Sequence, residues 1–79
     1  MKAEIIKELS GFTGEACLVK IKDKYFVVSS VSAAFDTGMP ETLVFPSDEN
    51  GKVMDWGEVA GGRNVSREEA IQELEETVN

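Results

Sequence analysis

Hydrophobic and polar residues alternate through the first half of the chain in a way that is typical of antiparallel strands. In segment 16–22, ACLVKIK, one face receives Cys17, Val19 and Ile21, and the lysines fall on the other face. The run 25–31, YFVVSSV, is rich in aromatic and β-branched residues, which makes it the strongest strand signal in the chain. Because only a short connection separates them, the two segments predict a hairpin whose lysine-bearing face stays in water.

The N-terminal segment 1–9, MKAEIIKEL, is compatible with either a helix or a strand. Ile5 and Leu9 lie four residues apart, which suits a helix, whereas the alternation of charged and apolar residues suits an edge strand. No N-cap residue precedes the segment, and a turn at 10–14 leads from it directly into a predicted strand. We therefore predict a strand and keep the helix as the alternative.

The segment 32–40, SAAFDTGMP, predicts a loop, because it has little periodicity and contains both a glycine and a proline. Phe35 is the large apolar residue in this loop. We expect its ring to fold back onto the core, since an exposed phenylalanine in a small acidic protein invites aggregation. The alternative is an exposed anchor for a partner.

A strand and a turn are predicted on either side of Pro46. The strand covers 42–45 and ends at the proline, which cannot donate to a strand ladder. Residues 47–51, SDENG, predict a turn, because Asp and Asn side chains bond their own backbone and the glycine tolerates a positive φ. Residues 52–56 are then expected to return as the partner strand, which carries Trp56.

The C-terminal segment gives the clearest helical signal. The glycine pair 61–62 is predicted to form a hinge, and Ser66 and Glu69 have the spacing of a capping box. From Ser66 to Val78, apolar residues recur at helical spacing while glutamates fill the opposite side. The apolar stripe consists of Ala70, Ile71, Leu74 and Val78.

Together these segments predict a single α+β domain over residues 1–79. Its architecture is an antiparallel β-meander of four to five strands with one C-terminal amphipathic helix packed on one face. A chain of 79 residues buries only about 60% of its unfolded surface, so we expect dimerisation as a source of further burial. Cys17 is the single cysteine and no apolar run reaches about 18 residues, so we expect a cytoplasmic protein without membrane contact.

The net charge of −7 is unevenly distributed. Residues 1–24 carry five lysines and four acids, whereas 25–65 carry two bases and six acids, and 66–79 carry one arginine and five glutamates. No basic patch with interleaved aromatics exists, so direct nucleic-acid binding is not expected. Solubility explains the acidity, and the sharper alternative is an acidic surface for a basic protein partner. The candidate interaction surface comprises Asp55, Trp56, Glu58, Glu73, Glu75 and Glu76.

The sequence contains few groups that could perform catalysis. It has no histidine, which excludes Ser–His and Cys–His nucleophiles and histidine metal sites. Cys17 lies mid-strand in an apolar setting that is typical of an inert thiol. The acidic turn 48–51 departs from the calcium-loop pattern, because strands flank it and no bidentate glutamate follows at the required place. We therefore predict no enzyme activity, no cofactor and no metal.

The run from residue 41 to residue 74, ETLVFPSDENGKVMDWGEVAGGRNVSREEAIQEL, resembles small proteins encoded by bacteriophages and prophages, especially those of actinobacteria. Those proteins carry a similar strand, an FP(A/S)D turn, a DW pair, a glycine-rich link and a short Glu-rich helix. With the preceding VVSSV and the loop, the likeness covers about two-thirds of the chain, and residues 1–14 match least.

The resemblance implies a biological setting and no activity. It supports a non-enzymatic phage accessory or protein-interaction protein in the bacterial cytoplasm. Two alternatives stay open at this point. One is an acidic inhibitor that imitates nucleic acid and blocks a host DNA- or RNA-binding protein, and the other is a small-ligand binder.

Overall fold

A computed structural model describes residues 2–10, 14–31 and 41–78, and in this part of the chain one helix covers a single antiparallel sheet. The elements are β1 Glu4–Leu9, β2 Glu15–Ile21, β3 Lys24–Val31, β4 Glu41–Ser47, β5 Ala60–Arg63 and α1 Arg67–Val78. Each strand pairs with the next one in sequence, so the sheet order is β1-β2-β3-β4-β5. The predicted α+β meander and the predicted N-terminal strand are both confirmed. The loop at 32–40 with Phe35, and most of the turn at 10–14, lie outside the described residues.

The helix packs on the face of the sheet that carries the predicted core positions of β2. Cys17, Val19 and Ile21 are buried there beside residues of β3 and β4. Ala70 and Leu74 are the fully buried residues of the helix, and the other two members of the predicted stripe are partly buried against the same cluster. The helical spacing of apolar residues therefore identified the docking face correctly.

The helix begins with the predicted capping box. The Glu69 backbone N–H donates to Ser66 Oγ at 3.2 Å, and the Ser66 N–H donates to Glu69 Oε1 at 3.3 Å. At its far end, Glu75 Oε2 accepts the N–H of Ala3 at 2.6 Å, and near its start Arg67 forms an ion pair with Glu8 at 3.3 Å. The helix is thus tied at its far end to the residue before β1 and near its start to β1 itself.

The second face of the sheet is buried at its centre, which corrects the expectation that the lysine-bearing face stays wet. Leu18 and Val27 are fully buried there, and Phe45 is nearly so. The turn after β4 covers part of this face, because Gly51 lies so close to Leu9 of β1 that an added Cβ would sit 2.9 Å from the leucine Cδ2. The sheet therefore supports two layers of buried side chains, one of them without a helix.

The predictions for β4 and β5 were partly wrong. β4 continues through Pro46, which pairs with Phe26 on one side while its carbonyl accepts the N–H of Met54 at 2.9 Å on the other. Because the N and C=O of one strand residue point to the same side, the missing proline N–H falls on the β5 side, where the ladder is interrupted. β4 can therefore pass through the proline without losing a bond to β3.

The predicted return strand at 52–56 is reduced to one isolated bridge, between Ser47 and Val53. The fifth strand lies later, at Ala60–Arg63, and contains the glycine pair that was predicted to be a hinge. These glycines have φ values of +96° and +146°. Such angles suit glycine alone and let the short strand bend toward β4.

Candidate functional site

The predicted interaction residues separate into two groups in the structure. Asp55, Trp56 and Glu58 lie on the connection between β4 and β5, whereas the three glutamates lie on α1. The connection first forms a turn at 48–52. It then forms a projecting segment from residue 54 to residue 59, which we call the 54–59 bulge.

The turn at 48–52 is organised by the side chain of Asp48. Its Oδ1 accepts the backbone N–H groups of Asn50 and Lys52, both at 2.9 Å. The backbone N–H of Asp48 donates to the Lys52 carbonyl, and the Asp48 carbonyl accepts the N–H of Gly51. The N–H of Lys52, followed by that of Asn50, stabilises the carboxylate and holds the pKa of Asp48 below its ordinary value. The predicted turn is therefore confirmed, and its aspartate provides the central acceptor.

We expect this turn to make the stability of the domain depend on pH in a specific window. Because the folded-state pKa of Asp48 is lowered, its contribution is fully present above the unfolded pKa of about 4 and is lost as the pH falls through the folded value. We therefore expect wild type to have a higher free energy of unfolding than Asp48→Asn at neutral pH, and this difference should become smaller in acid. Urea unfolding followed by far-UV circular dichroism between about pH 7 and pH 2.5 measures it. Glu49→Gln is the control, because it also removes one negative charge from this turn. A stability difference between wild type and Asp48→Asn that does not change with pH would contradict the role given to the Asp48 carboxylate.

The 54–59 bulge projects because its two ends are fixed close together on β4. The N–H of Met54 donates to the Pro46 carbonyl and the N–H of Val59 donates to the Val44 carbonyl, both at 2.9 Å. The chain thus advances five residues while the neighbouring strand advances two, and the intervening residues must leave the sheet. Within them, Asp55 Oδ1 accepts the Gly57 N–H at 2.8 Å, which closes a local turn.

Trp56 is the largest exposed side chain of the bulge. It is 67% exposed, and Met54 and Val59 of the same segment are exposed as well. Its ring meets the ring of Phe45 edge-on, with the centroids 5.2 Å apart and the planes at 65°. Phe45 is itself buried in the second face of the sheet, so the indole is supported by the core on one side and open on the other.

The surroundings of Trp56 are acidic. Asp55 and Glu58 lie on either side of it in the sequence, and both are exposed. Residues 48–59 contain four acids and one lysine, which gives this connection a formal charge of −3. The surface therefore combines exposed apolar side chains with a negative rim.

The helix glutamates are less available than the helical pattern predicts. Glu75 is partly buried, since it accepts the N–H of Ala3, and Glu73 Oε2 accepts the N–H of Gly61 at 3.4 Å. Glu76 is exposed. The expectation that all these glutamates lie on the side opposite the apolar stripe is thus wrong for Glu75. The sequence contained the signal, because position 75 lies one turn from the stripe residues at 71 and 78.

The other candidate groups in the described part of the chain are the thiol of Cys17 and side chains that could bind a metal ion. Cys17 is fully buried, and burial is the main cause that raises the pKa of its thiol. Among residues 2–10, 14–31 and 41–78, no cluster of three or more cysteine or carboxylate side chains is arranged to hold a metal ion. No helix in these ranges combines the length and apolar character that a membrane span requires.

Comparison of the chain with protein-family models, with curated proteins and with solved structures gives no match. The fold and the site therefore have to be interpreted from their own geometry. They define a small α+β domain that presents one supported tryptophan on an acidic projection at the β5 side of its sheet.

Proposed function

We propose that this chain is a non-enzymatic protein-interaction protein that binds a protein partner through the 54–59 bulge. The observation that carries the proposal is the state of Trp56, which is two-thirds exposed although Phe45 holds its ring. A ring that is already fixed loses little conformational freedom on binding, and tryptophan is the residue most enriched at interface hot spots. The aromatic contact thus prepares an anchor that inserts into the partner.

The rim of the bulge indicates the chemistry of the partner. Asp55 and Glu58 flank the anchor, so a complementary surface has a shallow apolar pocket bordered by lysine or arginine. Charge of this kind accelerates encounter and selects orientation, while the apolar contact slows dissociation. The resemblance to phage and prophage proteins supports a bacterial host protein as the partner and the host cytoplasm as the setting.

The proposal is tested by affinity capture from bacterial lysate, followed by titration of the captured protein with purified variants. Trp56→Ser is expected to weaken binding by about 2–4 kcal/mol, which is roughly 30- to 1,000-fold in affinity. The control is Gln72→Ala, which changes an exposed side chain on the helix, outside the 54–59 bulge, and should leave affinity within about threefold. Far-UV circular dichroism confirms that both variants fold. Equal affinities of wild type and Trp56→Ser for the captured protein would refute the role of the bulge.

The same titration separates the proposal from an acidic mimic of nucleic acid. A mimic would capture a nucleic-acid-binding protein and lose it when Glu68 and Glu76, both exposed on the helix, are replaced by glutamine. For the interaction protein proposed above, these replacements have little effect, whereas Asp55→Asn with Glu58→Gln lowers the association rate and its dependence on salt.

A further inference from the structure

We infer that a second copy of this chain pairs with the first along β1, in antiparallel orientation across a two-fold axis. β1 is an edge strand, since β2 is its only neighbour in the sheet of the described residues. Its open edge carries backbone donors and acceptors that could continue the sheet. Ile5 and Ile6 on this strand are 50% and 42% exposed, so the edge is also apolar at its centre.

The order of residues 4–7, Glu-Ile-Ile-Lys, is its own complement when it is read in the antiparallel direction. Aligning Ile5 of one copy with Ile6 of the other places Glu4 opposite Lys7 on both sides of the axis. Opposite charges facing each other across strands are stabilising, and the symmetry supplies the pair twice. In the described part of the chain, neither Glu4 nor Lys7 forms an ion pair within its own copy.

The β-bulge of β1 makes this alignment geometrically consistent. Residues three apart on a regular strand point to opposite faces, so Glu4 and Lys7 could not normally meet the same face of a partner. Here the register shifts between Ile5 and Lys7, so that Glu4 pairs with Lys20 and Lys7 pairs with Leu18. Lys20 and Leu18 share one face of β2, and the β-bulge of β1 therefore brings both Glu4 and Lys7 onto that face.

An unrelated partner would have no reason to match this short palindromic pattern, whereas a second copy matches it by symmetry. In the edge strands of other sheets, β-bulges and lysines also serve to prevent edge pairing. The self-complementary order of the charges, with the isoleucines between them, is what favours pairing here. This edge is separate from the 54–59 bulge, which lies at the β5 side, so the two surfaces can be tested independently.

The test is a charge-reversal series measured by sedimentation equilibrium up to about 1 mM chain. Wild type is expected to dimerise, and Glu4→Lys and Lys7→Glu are each expected to weaken the dimer by roughly tenfold or more, because each replaces two attractive pairs by two repulsive ones. An equimolar mixture of the two variants should dimerise again, since one copy then presents only lysines and the other only glutamates. Trp56→Ser should dimerise like wild type.

Any of three results from wild type and the charge-reversal variants would overturn the inference. These are a wild-type chain that stays monomeric over the whole range, a dimer that neither reversal weakens, and a mixture that associates no better than the separate variants. Both substituted side chains are exposed, so the variants should fold, and circular dichroism verifies this. Loss of the dimer in Trp56→Ser alone would assign self-association to the 54–59 bulge and would also overturn pairing along β1.

Discussion

Replacing Gly61 by alanine is expected to cause one of the largest losses of stability that a single substitution can produce in this protein. A Cβ at this position would sit 2.0 Å from the backbone oxygen of Thr42, and φ is +96°, which is unfavourable for any residue with a side chain. The obstacle is backbone in the paired strand, so it cannot rotate away. We expect a loss of about 3–5 kcal/mol, a large part of the stability of a domain this small. Urea unfolding followed by far-UV circular dichroism measures it.

Alanine variants of two other glycines distinguish the cost of the steric clash from the cost of the unfavourable φ. Gly62 has a φ of +146°, but an added Cβ would meet only Val65 Cγ2 at 3.9 Å, so its alanine variant should lose about 1–3 kcal/mol. Gly57 has no such φ, and its Cβ would meet the Asp55 carboxylate, a side chain that can rotate away. Its alanine variant should therefore lose less than about 1 kcal/mol. A Gly61→Ala variant as stable as Gly57→Ala would mean that β5 does not approach β4 this closely.

The second large effect is expected from Leu74→Ala. Leu74 is fully buried between the helix and the sheet, and removing its Cγ and two methyl groups leaves a cavity that the surrounding strands fill only partly. The expected loss is about 2–5 kcal/mol in the free energy of unfolding, measured by the same urea titration.

Gln72→Ala is the matched control for Leu74→Ala. Gln72 is exposed two residues earlier on the same helix, and glutamine and alanine are both good helix formers, so stability should change by less than about 0.5 kcal/mol. If both variants lost the same amount, the helix would not be docked through its predicted stripe.

The elements that the sequence predicted well are those whose signals are local. The capping box of Ser66 and Glu69 and the apolar stripe lie within one turn or a few turns of helix, so periodicity is sufficient to place them. The same is true of the turn that Asp48 organises. The hairpin of β2 and β3 is also local, because its strands are adjacent in sequence.

The features that the sequence did not predict depend on contacts between distant residues. Glycines normally indicate a break in a strand, and only the closeness of Thr42 shows why Gly61 belongs to one. Burial of Leu18 depends on how the later segments fold across the second face. Trp56 was predicted to be a strand residue, because the sequence cannot show that both ends of the bulge are fixed near each other on β4.

The exposure of Trp56 also determines what the tryptophan fluorescence of this protein can report. It is the single tryptophan of the chain, and its indole is already largely in water in the folded state. Unfolding should therefore shift its fluorescence only slightly, whereas insertion into an apolar pocket would move the emission to shorter wavelength. If the 54–59 bulge binds as proposed, this intrinsic fluorophore should respond to complex formation far more than to loss of the fold.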